Sequence, residues 1–305
     1  KNTLRNWLKK GKKYLDELVC VLKSIALEKD SIVNCDETWC KVRKYDHYKK
    51  CYMWVLVNKA ERLVIFFYED GSRGRDVLTN FLGDAELKAL MSDGYNAYVF
   101  IGDELKTHRY KDTDHQVCLA HVRAKFVKAR MEGGDKRADV FLGNINRLFR
   151  FEREYDREMI TDGERTRRRQ GLPTMEAMIN LRANLLQELK SEEEQKSCYM
   201  REALNYLHKF WNEAFTYIKD GRYPISNNLA ERAVRPFTTK RKNSLHFGSD
   251  EGAEIAAVYH SIISTVKLQG RSAWDYLGKF FTGIFNGCRD FLSLTPQNID
   301  LAVCQ

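Results

Sequence analysis

Two unbroken apolar runs, Tyr52-Met53-Trp54-Val55-Leu56-Val57 and Leu63-Val64-Ile65-Phe66-Phe67, lie a few residues apart. They are too short for buried helices and rich in β-branched and aromatic side chains, so they read as strands buried on both faces. The polar spacer between them has no room for a crossover, which makes them antiparallel neighbours. A third β-rich segment precedes them, and the predicted strands span 32–42, 51–58 and 62–68. Two shorter apolar segments follow, Ala89-Leu90-Met91 and Gln116-Val117-Cys118-Leu119-Ala120, with a predicted helix over 73–83 before them. Strands first, then strands alternating with helices, describe an α/β chain with a mixed sheet covered by helices.

Helical spacing dominates elsewhere. Leu15, Leu18, Leu22 and Ile25 predict a helix over 3–29, which Gly11 should interrupt. From about 122 to 220 strand signals stop. Leu181, Leu185 and Leu189 keep helical spacing there, as do Leu204, Leu207, Trp211, Phe215 and Ile218. Pro173 suits a first helical turn, and Gly221 stands where a helix should end. Two further helices are predicted over 226–236 and 249–268. A last one covers 272–294, with Trp274, Leu277, Phe280, Phe281 and Ile284 facing inward. The expected organisation is therefore an N-terminal helical segment (1–30), a first part of the core (31–121), a helical insertion (122–222), a last part of the core (223–270) and a C-terminal helical tail (271–305).

The chain has 305 residues, 43% hydrophobic and 30% charged, an ordinary globular composition that excludes disordered and fibrous classes. It contains no apolar stretch long enough to span a bilayer. It starts Lys1-Asn2-Thr3-Leu4-Arg5, with neither an initiator Met nor a signal-peptide core, and reads as a piece of a longer protein. The net charge of +9 favours a polyanionic partner. The eight cysteines, Cys20, Cys35, Cys40, Cys51, Cys118, Cys198, Cys288 and Cys304, are too sparse for a disulfide framework and suit a reducing compartment.

Three acidic residues stand out by context. Asp36 sits inside the first apolar strand, where a carboxylate is costly unless paired or bound to a metal. Asp93 ends a short strand in Ser92-Asp93-Gly94-Tyr95; strand carboxyl ends collect ligands, and Asp-Gly is equally an ordinary turn. Glu231 lies three residues after Asn228 at a helix start, where it either completes a capping box or points toward the other carboxylates. Three carboxylates suit phosphoryl transfer. Two Mg²⁺ ions roughly 3.5–4 Å apart activate the attacking oxygen, stabilise the leaving one and neutralise phosphate charge, and hard cations take oxygen ligands.

In their order and spacing, several segments resemble transposases of the insertion sequence 66 family. They are Asp36-Glu37-Thr38, Ser92-Asp93-Gly94-Tyr95, Cys118-Leu119-Ala120-His121-Val122-Arg123-Ala124-Lys125-Phe126 and Asn227-Asn228-Leu229-Ala230-Glu231-Arg232-Ala233-Val234-Arg235-Pro236. Arg241-Lys242-Asn243 with Phe247-Gly248-Ser249, and Gly252-Ala253-Glu254, complete the set. The resemblance covers about residues 3–290. It implies a DDE catalytic core of ribonuclease H-like fold, with a large all-helical insertion before the third acidic residue. It makes Asp36, Asp93 and Glu231 the catalytic, metal-binding carboxylates, with two Mg²⁺ (or Mn²⁺) ions. The implied reaction is metal-dependent cleavage at the element's ends followed by strand transfer into target DNA, with no protein nucleophile. The implied partners are double-stranded DNA and further copies of the chain on it, in the bacterial cytoplasm at the nucleoid. The family's upstream DNA-end-binding and zinc-binding segments are absent, and Thr3–Leu8 resembles the tail of that region. The pattern departs in one place: Trp39 follows Thr38 where a Pro is commonest.

Other features are weighed beside this. Cys118 and His121 have zinc-ligand spacing, and Cys35, Cys40 and Cys51 could add thiols, but only one close pair is present. A satisfied core histidine is the plainer account of His121. Arg232, Arg235, Lys240, Arg241 and Lys242 flank Glu231 and are candidate DNA-backbone contacts. Arg165 and Arg167–Arg169 are weaker candidates, and Trp211 belongs to a helical apolar stripe. Two other functions fit the residues: a transposase-derived DNA binder without catalysis, and a ribonuclease H-like nuclease. Mg²⁺-dependent nicking, and hybrid against duplex cleavage, discriminate them.

Overall fold

The structure, a computed structural model, describes residues 2–191 and 196–299, together with the backbone but not the side chain of Lys240. Cys304 and both chain ends of the expected organisation, Lys1 and 300–305, lie outside the described residues. The chain is α/β and forms two compact units, one of residues 1–88, 96–113 and 229–305, the other of 89–95 and 114–228.

The first unit is built on an antiparallel meander: β1 (Ile32–Arg43), β2 (Tyr48–Asn58) and β3 (Leu63–Phe67). Met53–Val57 and Leu63–Phe66 are buried throughout, as unbroken apolar runs require when both faces are covered. One face carries Cys40 and Val42 of β1, Cys51, Met53, Val55 and Val57 of β2, and Val64 and Phe66 of β3. Against it pack Ala230, Val234 and Phe237 of α9 (Asn228–Ser244) and Ala253 and Ala257 of α10 (Asp250–Leu268). On the other face Trp54 meets Tyr98 edge-on, and Phe67 stacks at 3.7 Å on Phe81 of α2 (Arg75–Leu82). The outer edge of β3 is closed by α10. The Thr265 hydroxyl exchanges hydrogen bonds with the Val64 amide and carbonyl at 3.0 Å, and Ser261 does the same for Phe66. An edge that would otherwise offer bare backbone groups is thus satisfied.

Helix α1 (Asn2–Ala26) buries Leu15, Leu18, Leu22 and Ala26 and runs unbroken through Gly11, contrary to the expected interruption. Gly11 is there for proximity: a Cβ would stand 2.5 Å from the Tyr259 hydroxyl of α10. Helix α9 likewise continues past the expected end at 236, with exposed Pro236 inside it. Proline removes one intrahelical bond, and solvent can serve the carbonyl left behind. α10 starts as its sequence suggests, with the Ser249 hydroxyl accepting from the Gly252 amide at 3.1 Å. The final helix is shorter than expected, α11 (Ala273–Phe285). It buries Tyr276, Phe280 and Ile284, whereas Trp274 is exposed, because the buried stripe runs through Tyr276 instead.

The second unit holds a parallel pair, β4 (Ala89–Ser92) and β5 (Asp114–Val117), and a run of helices. These are α3 (Leu119–Met131), α4 (Ala138–Glu158), α5 (Asp162–Arg169), α6 (Leu172–Lys190), α7 (Cys198–Lys209) and α8 (Trp211–Phe215). Phe126 of α3 stacks on Phe141 of α4 at 4.4 Å. Thr161 and Ser197 cap α5 and α7 through their hydroxyls. Arg169 is the polar centre of this unit. It is buried, paired with Glu152 at 2.7 and 2.8 Å, and donates to the carbonyls of Tyr217, Asp220 and Tyr223.

Candidate active site

Asp36 lies in the middle of β1, half-buried, with one carboxylate oxygen accepting from the Glu37 amide at 2.9 Å. Its register partner on β2 is Val55. Directly opposed residues of an antiparallel pair share a face. Val55 belongs to the core that holds Ala230 and Val234, so Asp36 is on the face of the meander that α9 covers. Glu231 follows Ala230 in the first turn of that helix and is half-buried. The positive end of the helix dipole favours a carboxylate there. Two of the three expected residues, almost two hundred positions apart in sequence, are thereby assigned to one side of one small sheet.

The neighbouring acid, Glu37, points the other way, as strand alternation demands. Its side chain is only 1% exposed. Arg73 donates to Oε1 through two nitrogens at 2.6 and 2.9 Å, and the Tyr98 hydroxyl donates to Oε2 at 2.7 Å. Burial, with Cys35, Glu37 and Asp36 close by, raises the Tyr98 phenol well above its ordinary range, so it stays a donor. Burial also pushes the Cys35 thiol up, which makes it a poor nucleophile. Sequence reasoning passed over Glu37; its adjacency to Asp36 was the only signal, and alternation assigns the two acids different work.

Asp93 belongs to the second unit, directly after β4. Its Oδ1 accepts from the Tyr95 amide at 2.8 Å, the self-bonding of an Asx turn. Beneath it, the Cys118 amide donates to the Ser92 carbonyl at 2.9 Å, and Ser92 Oγ lies 3.0 Å from His115 Nε2. Burial lowers the His115 pKa to about 4, so that imidazole is neutral. The Tyr206 hydroxyl of α7 donates to the Asp93 carbonyl, a contact no sequence signal announced. Cys118 caps the start of α3, with His121 in the first turn. The Asn227 amide donates to Cys118 Sγ at 3.1 Å, and the Leu119 amide to the Ile225 carbonyl at 3.2 Å. The thiols offered as zinc partners do not form one set: Cys40 and Cys51 face each other on the α9 side of the meander, and Cys35 is on the opposite face. Burial moves the Cys40 thiol up to about 12. All seven described cysteines are free.

Among the basic candidates, Arg232, Arg235 and Lys242 are exposed on α9, and the Lys240 side chain is outside the described residues. Arg241 is partly buried; it donates to Thr38 Oγ1 at 3.2 Å and the Trp39 carbonyl at 2.7 Å, with its guanidinium 3.9 Å from the Trp39 ring centre. The basic run of α5 is otherwise engaged. Arg165 pairs with Glu152 and Asp156, Arg167 and Arg168 with Glu164, and Arg169 is buried. These arginines answer acids of their own unit, which leaves little charge for phosphates.

An α/β chain that brings distant acidic residues to one sheet face is of the kind that processes nucleic acids. The family model described as Transposase IS66 family matches residues 1–255, and the chain belongs to that family. It is also similar to two uncharacterized proteins of Sinorhizobium fredii (strain NBRC 101917 / NGR234). One, y4jD, is 29% identical over 253 residues, 78% of this chain and 47% of the relative. The other, y4qI, is 27% identical over 239 residues, 77% of this chain and 43% of the relative. The chain thus spans less than half the length of these curated relatives. No helix among the described residues is long and apolar enough to cross a membrane.

Proposed function

We infer that this chain is the catalytic core of a DDE transposase, which cleaves DNA at the ends of a mobile element and joins them to target DNA. The observation that carries the reading is the shared sheet face of Asp36 and Glu231, fixed by the packing of α9 on Val55. An antiparallel meander followed by a parallel strand pair with helices also supports a ribonuclease H-like topology. The family membership supports DNA as the substrate.

The donor chemistry fits hard divalent cations. Asp36 and Glu231 offer carboxylate oxygens in half-buried positions, and Asp93 supplies the third carboxylate of the assignment. Mg²⁺ or Mn²⁺ held there would supply Lewis acidity for in-line displacement at a phosphodiester. The chain's own part is to position. β1 fixes Asp36 by strand geometry, the first turn of α9 carries Glu231, and the turn after β4 carries Asp93. Arg232, Arg235 and Lys242 present exposed positive charge along the helix that bears Glu231, suited to the DNA backbone. The enzyme works as an oligomer on duplex DNA, since two ends must be joined together.

The test is a cleavage and strand-transfer assay on a duplex carrying the element's terminal repeat, with Mg²⁺. Asp36→Asn, Asp93→Asn and Glu231→Gln should each abolish cleavage while leaving DNA binding in place. Retained cleavage in any one removes that residue from the site. DNA binding without any Mg²⁺-dependent cleavage by the unaltered protein would replace the reading with a non-catalytic binder.

A further inference from the structure

The β1–β2 hairpin extends beyond the core and has two unlike faces. Its register sets Trp39 opposite Tyr52, Lys41 opposite Lys50 and Arg43 opposite Tyr48. Opposed residues share a face, so these six stand together. The alternate residues Cys40, Val42 and Cys51 point into the α9 core and anchor the ribbon. The outward face is therefore three aromatic rings interleaved with three cations, and none of the six is acidic.

The rings are open to solvent: Trp39 is 37% exposed and Tyr48 53%. Folding alone gives no reason to leave such large apolar groups in water on one patch. Lys50 Nζ lies 6.0 Å from the Trp39 ring centre and 5.7 Å from that of Tyr52. Arg241 holds the indole from α9 at 3.9 Å. Among the described residues, no salt bridge involves Lys41, Arg43 or Lys50, and the nearby acids are otherwise met: Asp46 at the turn by His47, and buried Glu37 by Arg73. The face carries uncompensated positive charge beside exposed ring faces.

We propose that this outer hairpin face is a binding platform for unpaired DNA, with bases stacked on Trp39, Tyr48 and Tyr52 and phosphates met by Lys41, Arg43 and Lys50. Positive charge alone would suit any DNA. The aromatic rings select the unpaired form, because a duplex presents base edges in its grooves and keeps the ring faces stacked on one another. Flat aromatic residues on a sheet, flanked by cations, suit bases whose ring faces are free. The platform is on the sheet face opposite to Asp36, so its role is to hold a strand, and it goes beyond the catalytic assignment.

The experiment measures fluorescence anisotropy of a labelled oligothymidylate with the whole protein in EDTA, where cleavage is silent. An abasic oligonucleotide of equal length and a duplex serve as comparisons. Trp39→Ala should weaken oligothymidylate binding about tenfold or more, with a smaller loss for Tyr48→Ala, and should leave the duplex affinity unchanged. The abasic strand should bind the unaltered protein correspondingly more weakly. Exposed Tyr48 keeps the test valid if Trp39→Ala unfolds, which thermal melting reports. The proposal is overturned if abasic and normal strands bind alike, if the folded variants bind oligothymidylate unchanged, or if duplex affinity falls in parallel. Because neither cation nor carboxylate enters this assay, its failure leaves the cleavage test untouched, and the converse holds.

Discussion

The Tyr206 hydroxyl donates to the backbone carbonyl of Asp93, tying a helix of the second unit to the turn that carries a candidate catalytic carboxylate. The next residue, Gly94, has φ +80°, and a Cβ there would stand 2.8 Å from that hydroxyl and 3.2 Å from the Phe210 ring. The turn is thus held by contacts that only glycine admits. Gly94→Ala should destabilise the protein by about 1–3 kcal/mol through backbone strain. Tyr206→Phe leaves the Asp93 carbonyl without this donor and should cost about 1 kcal/mol. If the contact positions Asp93, Tyr206→Phe should also raise the Mg²⁺ concentration needed for half-maximal cleavage. An unchanged cation requirement would confine Tyr206 to stability.

Adjacent acids on β1 should behave as opposites. Glu37→Ala removes the acceptor of the Tyr98 hydroxyl and the partner of Arg73. Arg73 is 37% exposed and recovers solvation, so the loss is mainly that of the buried hydroxyl, about 1–3 kcal/mol. Asp36→Asn keeps the shape of a half-buried side chain and should change stability little while removing activity. Chemical denaturation beside the cleavage assay separates the two; a variant of Glu37 that melts normally but loses cleavage would reverse the roles.

Arg169 should be indispensable to the second unit. Its removal leaves Glu152, whose side chain is 9% exposed, dependent on Arg165, and deprives three carbonyls of their donor. Arg169→Met is expected to cost about 3–5 kcal/mol. Arg167→Ala, at an exposed side chain in a neighbouring position, should cost almost nothing. Equal effects in urea unfolding would contradict the assignment of Arg169 as an internal tie.

What the sequence makes legible follows from how local each cause is. The runs at 52–57 and 63–67 declare their burial, and the short spacer between them declares the antiparallel pairing, because both causes lie within the segment. The start of α10 is readable for the same reason: Ser249 caps it within three residues. Gly11 and Pro236 mislead because local propensity says to stop, while packing of Gly11 against Tyr259 and of α9 on the meander overrides it. The basic run at 165–169 looks like a surface patch until its partners arrive from other elements. Tyr206 is 113 residues from Asp93 and no pattern links them. For the site itself, the sequence offers Asp36 and Glu231 as acids in unusual places; only the register with Val55 assigns Asp36 and α9 to one face.

The neutral, buried His115 gives the fold an acid-side liability with a definite sign. Burial lowers its pKa from the ordinary 6.5 to about 4. Between those values the unfolded chain takes up the proton and the folded chain does not. Stability from this residue is therefore complete above about pH 6.5 and falls as pH drops toward 4, where the folded state protonates as well. The whole contribution is about 3 kcal/mol, because each tenfold loss of proton affinity on folding is worth about 1.4 kcal/mol. Other groups titrate in the same range, so the informative quantity is a difference. His115→Asn cannot titrate and should lose less stability than the unaltered protein between pH 6.5 and 4, even if it is less stable at pH 7 for want of the Ser92 contact. Urea unfolding at several pH values measures it; parallel curves for the two proteins would mean that His115 is as readily protonated in the fold as outside it.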